Sequence, residues 1–335
     1  MNNPLVSILL PARDAAATLP ACLASIRRQS ESRFECVVVD DGSCDATRAI
    51  AESVARGDAR FRVIATAAHG LVAALNTGLA ACRAPIVARI DADDWMHRER
   101  LALQLRALAA EPQLAGVGCH VRMFPRASLR PGLRDYESWL RSIDTTRRVR
   151  CERFVECPLP HPTWMLRREV MLALGYRDCG WPEDYDLLLR LFATGGQMGV
   201  VPRRLVAWRD GPSRLWRSDP AYAQERFLAC KAQHLAAGPL RHGGDYVLWG
   251  YGETGRSLRR ALAALGKRAA WIVEVHPRRL GQTIHGAKVV RPERIPSLPK
   301  LFLIASVAGA IARAEIRAHC HRLGLRETLD FLCAA

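Results

Sequence analysis

Four short apolar runs, at residues 5–10, 34–39, 61–64 and 84–90, are separated by stretches whose apolar residues recur at helical spacing. The first run stops at Pro11, and after it Leu19, Cys22, Leu23 and Ile26 form one stripe behind Thr18, a candidate cap. The second ends on Asp40-Asp41-Gly42-Ser43, and Asp45-Ala46-Thr47 opens a helix reaching Ala55. The third leads through His69-Gly70 into a helix carrying Leu71, Leu75, Asn76 and Leu79. Strands that alternate with helices predict an α/β fold with a parallel, doubly wound sheet covered on both faces. Ligands of such sheets bind outside the carboxyl ends of the strands, so the ends of the first, second and fourth runs form one mouth.

The fourth run ends there in Ile90-Asp91-Ala92-Asp93-Asp94-Trp95. Carboxylates held that close repel one another unless a cation or protons neutralise them. Hard divalent ions such as Mg2+ or Mn2+ take oxygen ligands and bridge one or two carboxylates to a diphosphate. The acids alone also suit a solvated turn at the start of the helix near Arg98.

A chain of 335 residues suits about two domains. It has no run of 18 apolar residues and no basic head followed by an apolar stretch at its start, which predicts a cytoplasmic chain. Its 11 Cys are scattered without paired metal-ligand spacing and read as reduced thiols used as small apolar residues. The net charge of +16 favours an anionic partner. No helix-turn-helix, zinc-finger or RNA-recognition pattern is present, which argues against nucleic acid, whereas a peripheral membrane contact through arginines stays open.

Two further constellations carry chemistry. Trp181-Pro182-Glu183-Asp184-Tyr185-Asp186 places adjacent acids before an apolar helical run from Leu187 to Phe192. Such a pair suits a general base or simply the positive end of the helix. Pro160-His161-Pro162-Thr163-Trp164 adds a histidine, and Trp164 and Trp181 read either as ring-stacking residues or as core.

After a helix over residues 222–235, the stretch 238–245 reads as a linker. Tyr246-Val247-Leu248-Trp249 is then a strand, Gly250-Tyr251-Gly252-Glu253-Thr254-Gly255 a G-x-G-x-x-G turn, and residues 256–265 a helix. A second strand ends on Glu274, about twenty residues after the glycines, which is the spacing of a dinucleotide fingerprint. Glycines that serve only helix–strand packing are the other reading. The domains expected are 1–237, a linker at 238–245, and a Rossmann-like unit at 246–335.

Val6-Ser7-Ile8-Leu9-Leu10-Pro11-Ala12-Arg13-Asp14, Val37-Val38-Val39-Asp40-Asp41-Gly42-Ser43, Gly70-Leu71-Val72-Ala73-Ala74-Leu75-Asn76-Thr77-Gly78 and Ile90-Asp91-Ala92-Asp93-Asp94 together resemble an inverting family-2 glycosyltransferase of the GT-A fold. The resemblance covers about residues 4 to 215. It implies a nucleotide-diphospho-sugar donor, Mg2+ or Mn2+, and transfer to a hydroxyl of a saccharide or lipid-linked acceptor in surface polysaccharide or glycolipid assembly. It also implies that Pro11, Arg13 and Asp41 border the nucleobase, that Asp91 contacts the ribose or the metal, and that Asp93 holds the metal. Asp184 becomes the base with Glu183 as its neighbour or substitute, Arg89 a candidate for the diphosphate or for an ion pair with a neighbouring acid, His161 a candidate for the diphosphate or the acceptor sugar or else a structural residue, and Asp210 the nearest candidate for a third metal ligand in the closing segment Leu205-Val206-Ala207-Trp208-Arg209-Asp210-Gly211-Pro212-Ser213. Arg13 stands where the family often has an aromatic residue, and Asp14 where it often has Asn.

The carboxyl-terminal stretch, including Ile284-His285-Gly286-Ala287-Lys288-Val289-Val290, resembles the small Rossmann-like domain at the front of some sugar acyltransferases. That implies a nucleotide or a protein partner for this unit. Two other functions fit parts of the sequence: a nucleotide-sugar sensor without turnover, and a nucleotidyltransferase. The latter normally has a Gly-rich basic loop after the first strand, which residues 12–18 are not.

Overall fold

The computed structural model describes residues 3–211, 214, 217 and 219–335. Pro212 and Ser213 of the closing segment lie outside the described residues. The chain divides into two compact units. One comprises residues 1–149, 158–179 and 186–217, and the other 150–157, 180–185 and 218–335.

The first unit holds an eight-stranded sheet. Its strands are β1 (Val6–Ala12), β2 (Phe34–Asp41), β3 (Phe61–Thr66), β4 (Ile86–Arg89), β5 (Trp95–Met96), β6 (Gly116–Phe124), β7 (Met165–Arg167) and β8 (Met198–Arg209), in the spatial order β3-β2-β1-β4-β7-β6-β8-β5. The four strands read first from the sequence are parallel to one another. The rest of the sheet corrects the all-parallel expectation: β7 runs antiparallel to β4 and β6, β8 pairs in parallel with β6, and β5 runs antiparallel to β8. Helical crossovers give the parallel half. Beyond it, β7 enters the sheet between β4 and β6 although it follows both in the chain, and no local pattern announces that pairing.

Both faces of the parallel half are covered, because successive strand residues point to opposite sides. Val6, Ile8 and Leu10 of β1 join Leu19, Leu23 and Ile26 of helix Leu19–Arg27 in one core. On the other face, Gly78 lets helix Leu71–Ala81 approach closely: a Cβ there would stand 2.3 Å from a methyl of Leu9 and 2.8 Å from one of Val39. Nine of the eleven cysteines are buried and all are free thiols, as their scattered positions suggest.

The second unit is built on a six-stranded sheet of order β11-β12-β10-β9-β13-β14. The strands are β9 (Asp245–Trp249), β10 (Arg268–Val273), β11 (Thr283–Ile284), β12 (Ala287–Val290), β13 (Leu303–Ala305) and β14 (Phe331–Cys333). All neighbours are parallel except the hairpin β11–β12. Val247, Trp249, Val273, Leu303 and Ala305 form one core face with Ile316 and Cys320 of helix Ala310–Arg322. Helix Gln224–Ala237 and the segments 150–157 and 180–185 pack within this unit. Among the described residues no helix is long and apolar enough to cross a membrane.

Candidate active site

The mouth at the ends of β1, β2 and β4 gathers most of the residues singled out in the first unit. Pro11 is buried near the end of β1, in register with Val39 of β2. Arg13 follows it, half exposed, with its guanidinium 3.9 Å from carboxylate oxygens of both Asp14 and Asp41. Asp14 adopts a left-handed backbone (φ 47°), which Asp and Asn tolerate, and its carboxylate accepts from the Cys44 amide at 2.8 Å. Asp41 is buried at the end of β2, where its two oxygens accept from the backbone amides of His69 and Gly70 at 2.9 Å each. The carboxylate thus fixes the loop that enters helix Leu71–Ala81.

Asp91, Asp93 and Asp94 form a cluster in which one oxygen of each lies within 4.8 Å of the others. Burial first, and then the charge of Asp91, push the Asp93 carboxyl above its ordinary range and that of Asp94 far above it. Asp94 is fully buried and Asp91 and Asp93 are partly buried, which a solvated turn does not require. One of the Asp94 oxygens accepts from the Arg209 amide at 2.7 Å, and the other has no hydrogen-bond partner among the described residues. An all-oxygen donor set, a buried carboxylate oxygen left unpartnered and carboxyls that resist ionisation together fit a hard divalent cation. Asp91 and Asp93 are the more accessible members for holding it.

Cations surround the cluster. Arg89 is buried and bonds Asp91 directly, and Arg214 approaches the other Asp91 oxygen at 3.5 Å. Arg209 donates through Nε to the Asp93 carbonyl at 3.0 Å and lies over the rings of Phe124 and Trp95. Arg209 and Arg214 are not announced by the sequence. Nothing in local spacing separates them from the other members of a set of 49 Lys and Arg, and only the return of β8 alongside β5 brings them to the acids. Asp210 is not one of the clustered acids: both of its oxygens accept from Arg217, at 2.8 and 3.0 Å.

His161 is buried in a 3-10 turn, His161–Thr163, with Nε2 2.8 Å from the Tyr176 hydroxyl and its ring edge-on to Trp164. Burial, reinforced by the Arg89 charge, drives its pKa well below the usual imidazole value. Tyr176 is tied in turn to Asn76 by a reciprocal pair of 3.0 Å bonds. Trp164 is 1% exposed and donates to the Leu159 carbonyl, so of its two readings the core one holds.

Glu183 and Asp184 open helix Glu183–Ala193 and belong to the second unit. Glu183 is buried and accepts from the Tyr222 hydroxyl at 2.5 Å, while Asp184 accepts from the Tyr185 amide at 2.7 Å. In the same unit, the G-x-G-x-x-G turn joins β9 to helix Glu253–Ala264. Glu274, after β10, accepts from the amides of Val275 and His276 and from Arg279 at 2.7 Å. Burial opposes its charge, but these donors prevail and lower its pKa.

A mixed α/β sheet with clustered acids at the end of its fourth strand defines the class as GT-A-like. Residues 7–175 match the family model for glycosyl transferase family 2, and the chain belongs to that family. It is 39% identical to an uncharacterized glycosyltransferase, EpsJ of Bacillus subtilis (strain 168), over 63% of each chain. It is 38% identical to a putative glycosyltransferase of that strain, EpsH, over 34% of this chain and 33% of EpsH. The matches thus span less than two thirds of either of these relatives. The succinoglycan biosynthesis protein ExoO of Rhizobium meliloti (strain 1021) is 31% identical over 71% of this chain and 72% of its own.

Two solved structures share the fold. S. aureus TarS 1-349 in complex with UDP-GlcNAc has a TM-score of 0.56 at 16% identity, covering 77% of this chain and 71% of that one. The mannosyltransferase PcManGT of Pyrobaculum calidifontis, in complex with GDP-Man and Mn2+, has a TM-score of 0.52 at 22% identity, covering 79% and 70%.

Proposed function

We propose that this chain is a metal-dependent, inverting glycosyltransferase that moves a sugar from a nucleotide diphosphate to a hydroxyl of a saccharide or lipid-linked acceptor. The observation that carries the reading is the cluster of Asp91, Asp93 and the fully buried Asp94 at the end of β4 in a member of glycosyl transferase family 2. Pro11, Arg13 and Asp41 border the nucleobase, with Asp41 accepting from a ring N–H, and Arg89 and His161 lie on the diphosphate side. Asp93 and Asp91 would hold Mg2+ or Mn2+, which when bound would neutralise charge on the leaving diphosphate, whereas Asp210, paired with Arg217, is set apart from them. Asp184, with Glu183 beside it, takes the proton of the acceptor hydroxyl as its oxygen attacks the anomeric carbon opposite the leaving group. The names of ExoO and of the TarS and PcManGT complexes support donors and products of these classes.

Work at the cytoplasmic membrane face, in surface polysaccharide or glycolipid assembly, agrees with the charge of +16. In this proposal residues 1–237 carry the transferase, 238–245 the linker and 246–335 a Rossmann-like unit, akin to that of some sugar acyltransferases, that takes a nucleotide or a protein partner.

A thermal-shift series with nucleoside diphosphates and their sugars, with Mn2+ or with chelator, tests the donor site. Selective binding to the folded state raises its apparent stability. The parent protein is expected to gain several degrees with one nucleotide family only when metal is present, and Asp93→Ala to lose that gain. An equal gain in Asp93→Ala, or in chelator, would contradict the assignment.

A further inference from the structure

Within the first unit, an open groove of about 610 Å³ runs between helix Leu19–Arg27 and the sheet edge formed by β8 and β5. Its lining is largely apolar, with Ala21 and Ala24 on the helix and Met96, Val206 and Ala207 on the strands. Three arginines far apart in the sequence converge on it: Arg28 just past the helix, Arg122 in β6 and Arg204 in β8. All three are exposed, and none has a carboxylate partner among the described residues. No Asp or Glu lines the groove. Their neighbours differ: Arg27 lies 3.9 Å from Asp58 at the end of the helix, and Arg203 bonds Glu99 at 3.2 Å. Arg27 already offsets the negative end of that helix, so Arg28 is surplus to it. Like charges gathered round one cavity repel, and an anion removes that cost.

The lining selects among anions. A free phosphate would meet the arginines and leave the apolar floor in water, whereas a phosphate joined to an acyl chain satisfies both. Trp95, on the same groove, is 39% exposed and is held by a stack on Phe124 with ring centroids 4.5 Å apart. Such a ring, apolar with one polar edge, suits the headgroup level of a bilayer. A strand from a second copy fits poorly, because β5 offers an edge of only two residues. We propose that this groove is the membrane contact of the chain and takes anionic phospholipid, with headgroup phosphates on Arg28, Arg122 and Arg204 and acyl chain along the floor. The inference rests on the proposed work at a membrane face. Trp95 follows Asp93 and Asp94 directly, so the contact brings the acid cluster to the headgroup layer, where a lipid-linked acceptor presents its hydroxyl.

The test is co-sedimentation of the full chain with vesicles of phosphatidylcholine, with and without phosphatidylglycerol. The parent is expected to bind only the anionic vesicles. The triple variant Arg28→Gln, Arg122→Gln, Arg204→Gln is expected to lose roughly 100-fold in affinity, since each arginine at an anionic surface contributes about fivefold. A second triple variant, Arg56→Gln, Arg106→Gln, Arg141→Gln, removes the same charge from exposed positions of the same unit outside the groove, and is expected to stay within about threefold of the parent. Ala24→Glu, at an exposed helix position, puts a carboxylate on the groove floor and is expected to weaken binding about tenfold. No binding by the parent, equal losses in the two triple variants, or parental binding by Ala24→Glu would each overturn the proposal. So would a groove variant that keeps vesicle binding and raises only the KM of a lipid-linked acceptor, which would make the acceptor the occupant. Stabilisation by nucleotide sugar and Mn2+ is expected to be unchanged in the groove variants. Its absence from the parent would remove the transferase reading and leave the vesicle result standing.

Discussion

A neutral imidazole inside the fold has a measurable signature. Burial, aided by Arg89, keeps the His161 pKa well below the ordinary value, so the folded protein leaves this ring uncharged where the unfolded chain protonates it. The unfolded state then binds more protons, and stability falls as pH drops below about 6.5, by up to about 1.4 kcal/mol per pH unit from this group. Urea unfolding at pH 7.5 and 5.5 is expected to show a smaller loss for His161→Gln than for the parent, and parallel losses would contradict it. Place in the chain decides which site residues the sequence announces. Asp91, Asp93 and Asp94 stand together in the sequence and are clustered in space because a strand end leaves them little choice. Arg209 and Arg214 reach them from more than a hundred residues away, a proximity that no local pattern encodes.

At the scale of elements, the G-x-G-x-x-G turn was legible as a strand–turn–helix unit because all of its parts are consecutive. Its glycines are unequal. A Cβ on Gly255 would stand 2.0 Å from the Gly250 carbonyl oxygen, which is backbone that cannot swing aside, whereas a Cβ on Gly252 meets nothing within 4 Å. Gly255→Ala is therefore expected to destabilise the protein by about 1–3 kcal/mol as an overpacked contact. Gly252→Ala should stay within about 0.5 kcal/mol of the parent. Thermal unfolding of the two variants decides, and equal midpoints would show that Gly255 is not a packing residue. Elements set by distant pairing were less legible. β6 and β8 were not read as partners, since Gly116, Gly118 and Gly199 weaken their strand character and the ladder between them shifts register near His120. The final helix before the linker runs Gln224–Ala237 and not 222–235, because the Pro220–Tyr222 turn precedes it.

For the whole molecule, the alternation of strands and helices in the first ninety or so residues was enough to give the mouth and its acids. The way the chain is shared between units was not. Residues 150–157 and 180–185 are interruptions of the first unit in sequence, yet Arg317, Tyr222 and Phe227 fix them in the second. Asp91, Asp93 and Asp94 thus fall in the first unit and Glu183 and Asp184 in the second, and the proposed function gives donor binding to the former and proton transfer to the latter. The most direct test pairs donor binding with turnover in Asp184→Asn, a substitution that keeps size and removes the base. With the donor and Mn2+ that stabilise the parent, the variant is expected to bind within about twofold of the parent affinity while transfer falls by about 10²–10⁴-fold, the usual range for a lost general base. Transfer at the parental rate would contradict the account.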